Sequence, residues 1–347
     1  MCAVVFLHAA SGPLGELSHP AFWHTVNVLV TLATPAVPLF FMLSGALMLS
    51  GERELTLSDT LRRRVPKLLV PLLAWSVVFF FYNRDIGGVE AAKHALLSTL
   101  GTPANVAYWF LYALIPMYLL APLLKVMTDR LSKAQWHYMM ALWAVFPLGL
   151  STLRSLLPAE FQYILTEHLS LNLNLIGGYL GYFLLGRYLD RLERLPSVKV
   201  LAAGQVLLVL GICADTWRQS YARGAYFSRF NSYLGLATAL QAAGLFLLAK
   251  ALFGGRESRG RVLPFLCSLS FGVYLAHPMA IFQLAEPWHE WTGQWTITAL
   301  PQLAVYYLIV LGISALVSAV LGAIPGLRYL FTGRSGPALF RKRRNDS

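Results

Sequence analysis

The feature that most constrains this chain is the recurrence, from end to end, of apolar runs separated only by short polar or Pro/Gly-containing segments. A hydrocarbon layer about 30 Å thick takes roughly 20 helical residues to cross. Inside it a backbone N–H or C=O has no water to turn to, so such a run closes its hydrogen bonds internally as an α-helix. Complete spans are expected near 26–50, 66–83, 107–127, 134–154, 172–188, 199–215, 232–252, 263–283 and 299–325. The opening MCAVVFLHAASG is apolar for about eleven residues, roughly 16 Å of helix or half a membrane. It has neither the basic leader nor the cleavage site of a secretory signal. It is therefore expected to be one more helix, truncated at its N-terminus. The expected fold is all-α, a polytopic transmembrane helical bundle of about ten helices. No linker or internal repeat divides it, so 1–330 reads as a single transmembrane domain and 331–347 as a basic cytoplasmic tail.

Composition agrees. Hydrophobic residues make up 57% of the chain and charged residues 13%, against roughly 25% charged in a soluble domain. The net charge of +12 invites a nucleic-acid partner, since basic patches neutralise phosphates. The placement of the charges argues otherwise. Of 28 Lys and Arg residues, all but Arg84, Lys93, Arg154, Arg218, Arg223 and Arg229 fall on alternate connections or the C-terminal tail. That is the positive-inside asymmetry, and it puts both termini in the cytoplasm with the segment from Glu286 to Trp291 outside. Cys2, Cys213 and Cys267 are scattered, without the paired spacing of a zinc site or disulfide framework. No structural metal is expected.

Polar groups inside apolar spans are costly and become functional candidates. These are His8 in the first helix, Ser44 with Gly45 in the second, and Tyr108, Trp109 and Tyr112 opening the fourth. Asn172 and Asn174 begin the sixth; Ser268, Ser270, Tyr274 and His277 lie in the ninth. His8 fits a general base, because imidazole titrates near neutrality, and equally a histidine tying two helices together. His277, before Pro278, fits both roles too. Arg62, Arg63, Arg64 and Lys67 form the densest basic cluster, suited to holding phosphates or anchoring the helix to anionic headgroups. Ser44-Gly45 allows close approach of a helix or a ligand. Tyr108-Trp109 reads as an aromatic belt or a binding wall.

Four stretches in order, the apolar first helix bearing His8, PLFFMLSGALML, RRRVPKLLVPLLAW and SLSFGVYLAHPM, resemble the acyltransferase-3 family of multispanning membrane acyltransferases. YWFLYALIPMYLLAPLL and YFLLGRYL support the match, and the resemblance runs through essentially the whole chain. Its closest look is to members that O-acetylate surface polysaccharides. The family usually carries an arginine about ten residues before the first-helix histidine, a position that would precede Met1. Its arginine pair before the third helix stands here as Arg64 and Lys67, where lysine offers a point charge in place of a bidentate fork.

The resemblance implies a bacterial inner-membrane enzyme moving an acyl group, acetyl first, from acyl-CoA to a hydroxyl of a glycan or lipid-linked sugar. Acetyl-CoA would be a co-substrate with no bound cofactor; the other partners are the sugar acceptor and membrane lipids, and no nucleic acid. His8 becomes the catalytic base and His277 a second catalytic candidate. Arg63, Arg64 and Lys67 would hold CoA phosphates, while Ser44, Tyr108, Trp109 and Tyr274 would contact substrate. The rival from a different class is a transporter or flippase for a lipid-linked sugar, without bond chemistry.

Overall fold

The computed structural model of the protein describes residues 1–51, 54–82, 93, 97–99, 101–158, 161–162, 177–255, 260 and 262–335. Among them there are eleven helices and no strands. In chain order they are α1 (Cys2–Ala9), α2 (Pro20–Leu49), α3 (Leu57–Tyr82), α4 (Val106–Arg130), α5 (Lys133–Leu156) and α6 (Gly178–Asp190). Then come α7 (Val198–Arg223), α8 (Leu236–Phe253), α9 (Val262–Thr292), α10 (Leu300–Ala323) and α11 (Leu327–Thr332). All except α1, α6 and α11 are long and apolar enough to cross a membrane, eight helices among the described residues. Their outward faces carry large apolar side chains such as Leu47, Leu207, Leu210 and Leu316. A water-soluble monomer seldom exposes so continuous an apolar surface, so the fold is a polytopic membrane bundle.

The expected spans appear with shifted ends. The sixth shortens to α6, and its anticipated start with Asn172 and Asn174 lies outside the described residues. The ninth, expected to stop near 283, continues as α9 through Glu286 and Trp291 to Thr292. Trp288 accounts for the extension: it is buried, its ring 5.1 Å from that of Tyr306 on α10. Helix α11 was not expected, because six residues carry too little periodicity to read. It packs on α3, where Trp75 donates to the Phe331 carbonyl. The boundary drawn at 330 therefore falls inside a helix.

Prolines set the local irregularities. Proline has no N–H, and its ring crowds the carbonyl four residues back. Ahead of Pro66 the start of α3 widens to a π-turn over Thr60–Arg64, and α5 does the same over Ala144–Leu150, around Pro147. A π-turn lengthens the hydrogen-bond ring and relieves that crowding.

The tightest contact joins α2 to α6. A Cβ added at Gly45 would sit 1.8 Å from the Phe183 carbonyl oxygen, and one at Gly186 would sit 1.9 Å from that of Met42. The two backbones touch because both positions lack side chains, the small-residue packing that substitutes for a hydrophobic drive in lipid.

At one end of the bundle, polar side chains lock four helices together. Buried Lys125 donates to the Gly51 carbonyl and to Asp129. Arg187 reaches Asp129 and Ser50, and Ser50 donates to Asp190. Lys250 caps the last carbonyls of α6, at Leu189 and Asp190, and reaches that of Leu192 just beyond it, where the helix dipole favours a cation. Residues taken as topology charges are thus also structural. Arg53, Arg256, Arg259, Arg261 and the tail from Arg341 to Arg344 lie outside the described residues.

Because neither backbone can retreat, Gly186→Val is expected to cost more than the roughly 1–3 kcal/mol typical of overpacking. Thermal denaturation of the detergent-solubilised protein should show a lowered Tm, whereas Gly211→Ala, with open space around it, should leave Tm within a degree or two.

Candidate active site

The two histidines, far apart in sequence, meet inside the bundle. The rings of His8 on α1 and His277 on α9 lie 5.1 Å apart between centroids, tilted by 44°. His8 borders a cavity of about 40 Å³ lined also by Val37, Phe40, Trp109, Phe110, Tyr233 and Tyr274. That is room for two or three waters. Among the described residues no hydrogen bond involves the His8 ring.

His277 is fully buried, and the residue after it decides its state. Pro278 supplies no N–H to the carbonyl four residues back, so the helix leaves the Tyr274 oxygen without its usual donor. His277 Nδ1 lies 2.6 Å from that oxygen. A carbonyl only accepts, so the proton is on Nδ1 and Nε2 is a bare lone pair. That Nε2 is buried without a hydrogen-bond partner, a condition that costs about 1–3 kcal/mol. The polar ring packed against His277 from another helix is His8.

Two reciprocal hydrogen bonds hold this level of α9 against the start of α4. Tyr108 donates to the Leu275 carbonyl at 2.6 Å, and Tyr274 donates to the Ala107 carbonyl at 2.5 Å. Both hydroxyl protons are committed, so neither tyrosine donates into the cavity, which Tyr274 lines. Trp109 stacks on Tyr233 at 5.6 Å and leans on Tyr179 at 5.0 Å. Its indole N–H has no acceptor among the described residues.

Ser44 is one helical turn from Phe40 and sits beside the Tyr118 hydroxyl of α4, the helix against which the Thr60–Arg64 turn of α3 packs. Phe110, Leu114 and Tyr118 follow at i, i+4 and i+8, so a line of side chains about 12 Å long runs from the cavity toward the basic cluster.

Within that cluster the side chains diverge. Arg64 is half-buried, its Nε 2.7 Å from Asp59 Oδ2, while Arg63 is exposed with Asp59 at 3.9 Å. Lys67 is exposed. Among the described residues no three His, Cys, Asp or Glu side chains converge as a metal site would require.

Residues 1–321 match the acyltransferase domain of the acyltransferase-3 family. The chain belongs to that family. No curated protein and no solved structure gives a significant match. Membrane acyltransferase activity follows from the family, with an acyl donor and an acceptor as its substrates; the transporter reading has no support.

Sequence reasoning singled out both histidines but not their meeting. It missed Phe40, Phe110, Tyr118, Tyr179 and Tyr233. The spacing of Phe110, Leu114 and Tyr118 on one helical face was a usable signal. Tyr233, in the non-helical approach to α8, gave none.

Tyr108→Phe removes one of the two cross-braces and is expected to lower stability by about 0.5–1.5 kcal/mol. Denaturation midpoints of Tyr108→Phe, Tyr274→Phe and the double variant should combine non-additively, since the two hydroxyls brace one contact.

Proposed function

We propose that the protein moves an acyl group, acetyl in the first instance, from acyl-CoA to a hydroxyl of a surface glycan or lipid-linked sugar at a bacterial inner membrane, with both termini cytoplasmic. One observation carries this reading: an unpartnered imidazole, His8, borders an internal cavity that α4 lines with Trp109 and Phe110, and the same helix packs farther along against the turn that carries the basic cluster.

The donor's phosphates are held from the basic end by Arg63, Arg64 and Lys67 through charge-assisted hydrogen bonds. Arg64, half-buried, marks where the acyl-bearing arm enters, and Tyr118 and Ser44 line its way to the cavity. The cavity at its present size admits little more than the reacting group, so the arm's passage requires the surrounding side chains to part. His8 removes the acceptor's hydroxyl proton as the oxygen attacks the thioester carbonyl. As the C–S bond breaks, His8 returns the proton to the departing thiolate and ends neutral. With the Tyr108 and Tyr274 protons committed, the Trp109 indole N–H and the Tyr233 hydroxyl, both from residues lining the cavity, are the donors left for the developing oxyanion. Trp109 and Tyr233 put aromatic surface on the cavity wall, of the kind a sugar ring packs against.

His8→Gln is expected to lower turnover about 10²- to 10⁴-fold with normal insertion, measured as acetyl transfer from labelled acetyl-CoA in membranes. Near wild-type transfer would reduce His8 to a packing residue.

Arg64→Gln and Lys67→Gln should each raise the KM for acetyl-CoA by about tenfold or more, since a charge-assisted contact is worth roughly 1.5–3 kcal/mol. Arg64→Gln should show the larger effect because its guanidinium is half-buried. Altered protein abundance with an unchanged KM would return the cluster to a lipid anchor.

A further inference from the structure

We infer that His277 is a positioning residue whose bare Nε2 accepts the N–H of His8 and thereby sets which His8 nitrogen faces the cavity. The inference rests on the reading of His8 as the base. Its grounds are three observations. Nδ1 of His277 is committed to the Tyr274 carbonyl at 2.6 Å. Nε2 is a buried acceptor with no partner. The ring packed against it, at 5.1 Å between centroids, belongs to a residue that always carries at least one N–H.

The two rings are adjacent without a hydrogen bond in this structure, and the bond requires the half-buried His8 to rotate. The immobile partner is His277, sealed on all sides and pinned through the carbonyl that Pro278 leaves free. A base oriented by a second group whose own tautomer is fixed is the logic of a nucleophile–base–orienter chain, here with a neutral imidazole as the orienter.

The proton inventory closes. In the resting state His8 carries one N–H, donated to His277 Nε2, and presents its other nitrogen, unprotonated, to the acceptor hydroxyl. During attack that nitrogen takes the hydroxyl proton while the acceptor oxygen bonds to the acyl carbon. As the C–S bond breaks, the proton passes to the thiolate. His277 keeps its Nδ1–H throughout and never changes protonation, so it orients His8 without entering the reaction.

The test compares His277→Gln with His277→Leu in the full chain, reconstituted in lipid, using acetyl-CoA and the acceptor of the native membranes. Glutamine keeps a carbonyl oxygen able to accept from His8, and leucine keeps bulk alone. Expected for leucine is a kcat about 10- to 100-fold lower, the range seen when an orienting partner is removed, with the KM for acetyl-CoA within twofold of wild type. Glutamine should recover a substantial part of that loss. Equal activity in the two variants, or better activity in leucine, would assign His277 to packing and overturn the inference.

A second measurement does not depend on the variants folding. Nitrogen-15 spectra of the wild-type protein should show His277 with a protonated Nδ1 and a pyridine-type Nε2; a protonated Nε2 overturns the inference as well. The two levels of the reading separate cleanly. An active His8→Gln protein removes the base itself, whereas an inactive His8→Gln beside a fully active His277→Leu removes only the orienter.

Discussion

A polar atom inside a lipid-embedded bundle has no water to fall back on, and the architecture of this protein follows from how each such atom finds a partner. Regular helix satisfies nearly all of the backbone. The exceptions arise where proline withdraws a donor, and the chain resolves them in different ways. Around Pro66 and Pro147 the helix widens into a π-turn. At Pro278 it does not; the freed carbonyl of Tyr274 is taken by the side chain of His277. A backbone deficit is thereby converted into a fixed imidazole tautomer at the centre of the candidate site.

Helix contacts hold that centre in place. Direct backbone contact of α2 with α6 at Gly45 and Gly186 fixes the rotation of α2 and so the direction in which Phe40 and Ser44 point. The paired tyrosine bonds between α4 and α9 set the depth of Trp109 and Phe110 relative to His277. At the far end, the Lys125, Asp129, Arg187 and Asp190 network and the Lys250 cap tie α2, α4, α6 and α8. The cavity beside His8 therefore lies between a polar clamp at one end and a tyrosine brace at its own level.

Much of the site was legible in the sequence, but unevenly. His8 and His277 stood out because ionisable groups in apolar runs are expensive. Gly45 stood out because small residues are unusual among Phe, Met and Leu. Tyr108 and Tyr274 were legible as polar residues in apolar helices, yet their hydroxyls were free to be assigned to substrate until the carbonyls of Leu275 and Ala107 were seen to take them. Arg64 and Lys67 share a helical face by spacing, but Arg64 is half-buried and paired with the Asp59 carboxylate while Lys67 stays exposed. Tyr233 was read as part of the span expected near 232–252, whereas the helix begins at Leu236 and Tyr233 stands in the turn before it.

By itself the sequence determined the membrane environment, the helical class, the approximate spans and the resemblance to a membrane acyltransferase. Each of these depends on local properties: run length against bilayer thickness, the hydrogen-bond closure of a single helix, and motifs in order. Histidine followed by proline on a helix supplies both a freed carbonyl and a group able to take it, but the contact that fixes the His277 tautomer was seen only in the structure. Only the tertiary structure decided that His277 meets His8, that Gly186 is the counterpart of Gly45, and that Lys125, Arg187 and Lys250 are structural as well as topological charges. Those outcomes depend on which helices become neighbours and in what rotation. Helix pairing in lipid is governed by short-range packing and hydrogen bonds between segments far apart in the chain, and such contacts leave no signal at the spacing of any one helix.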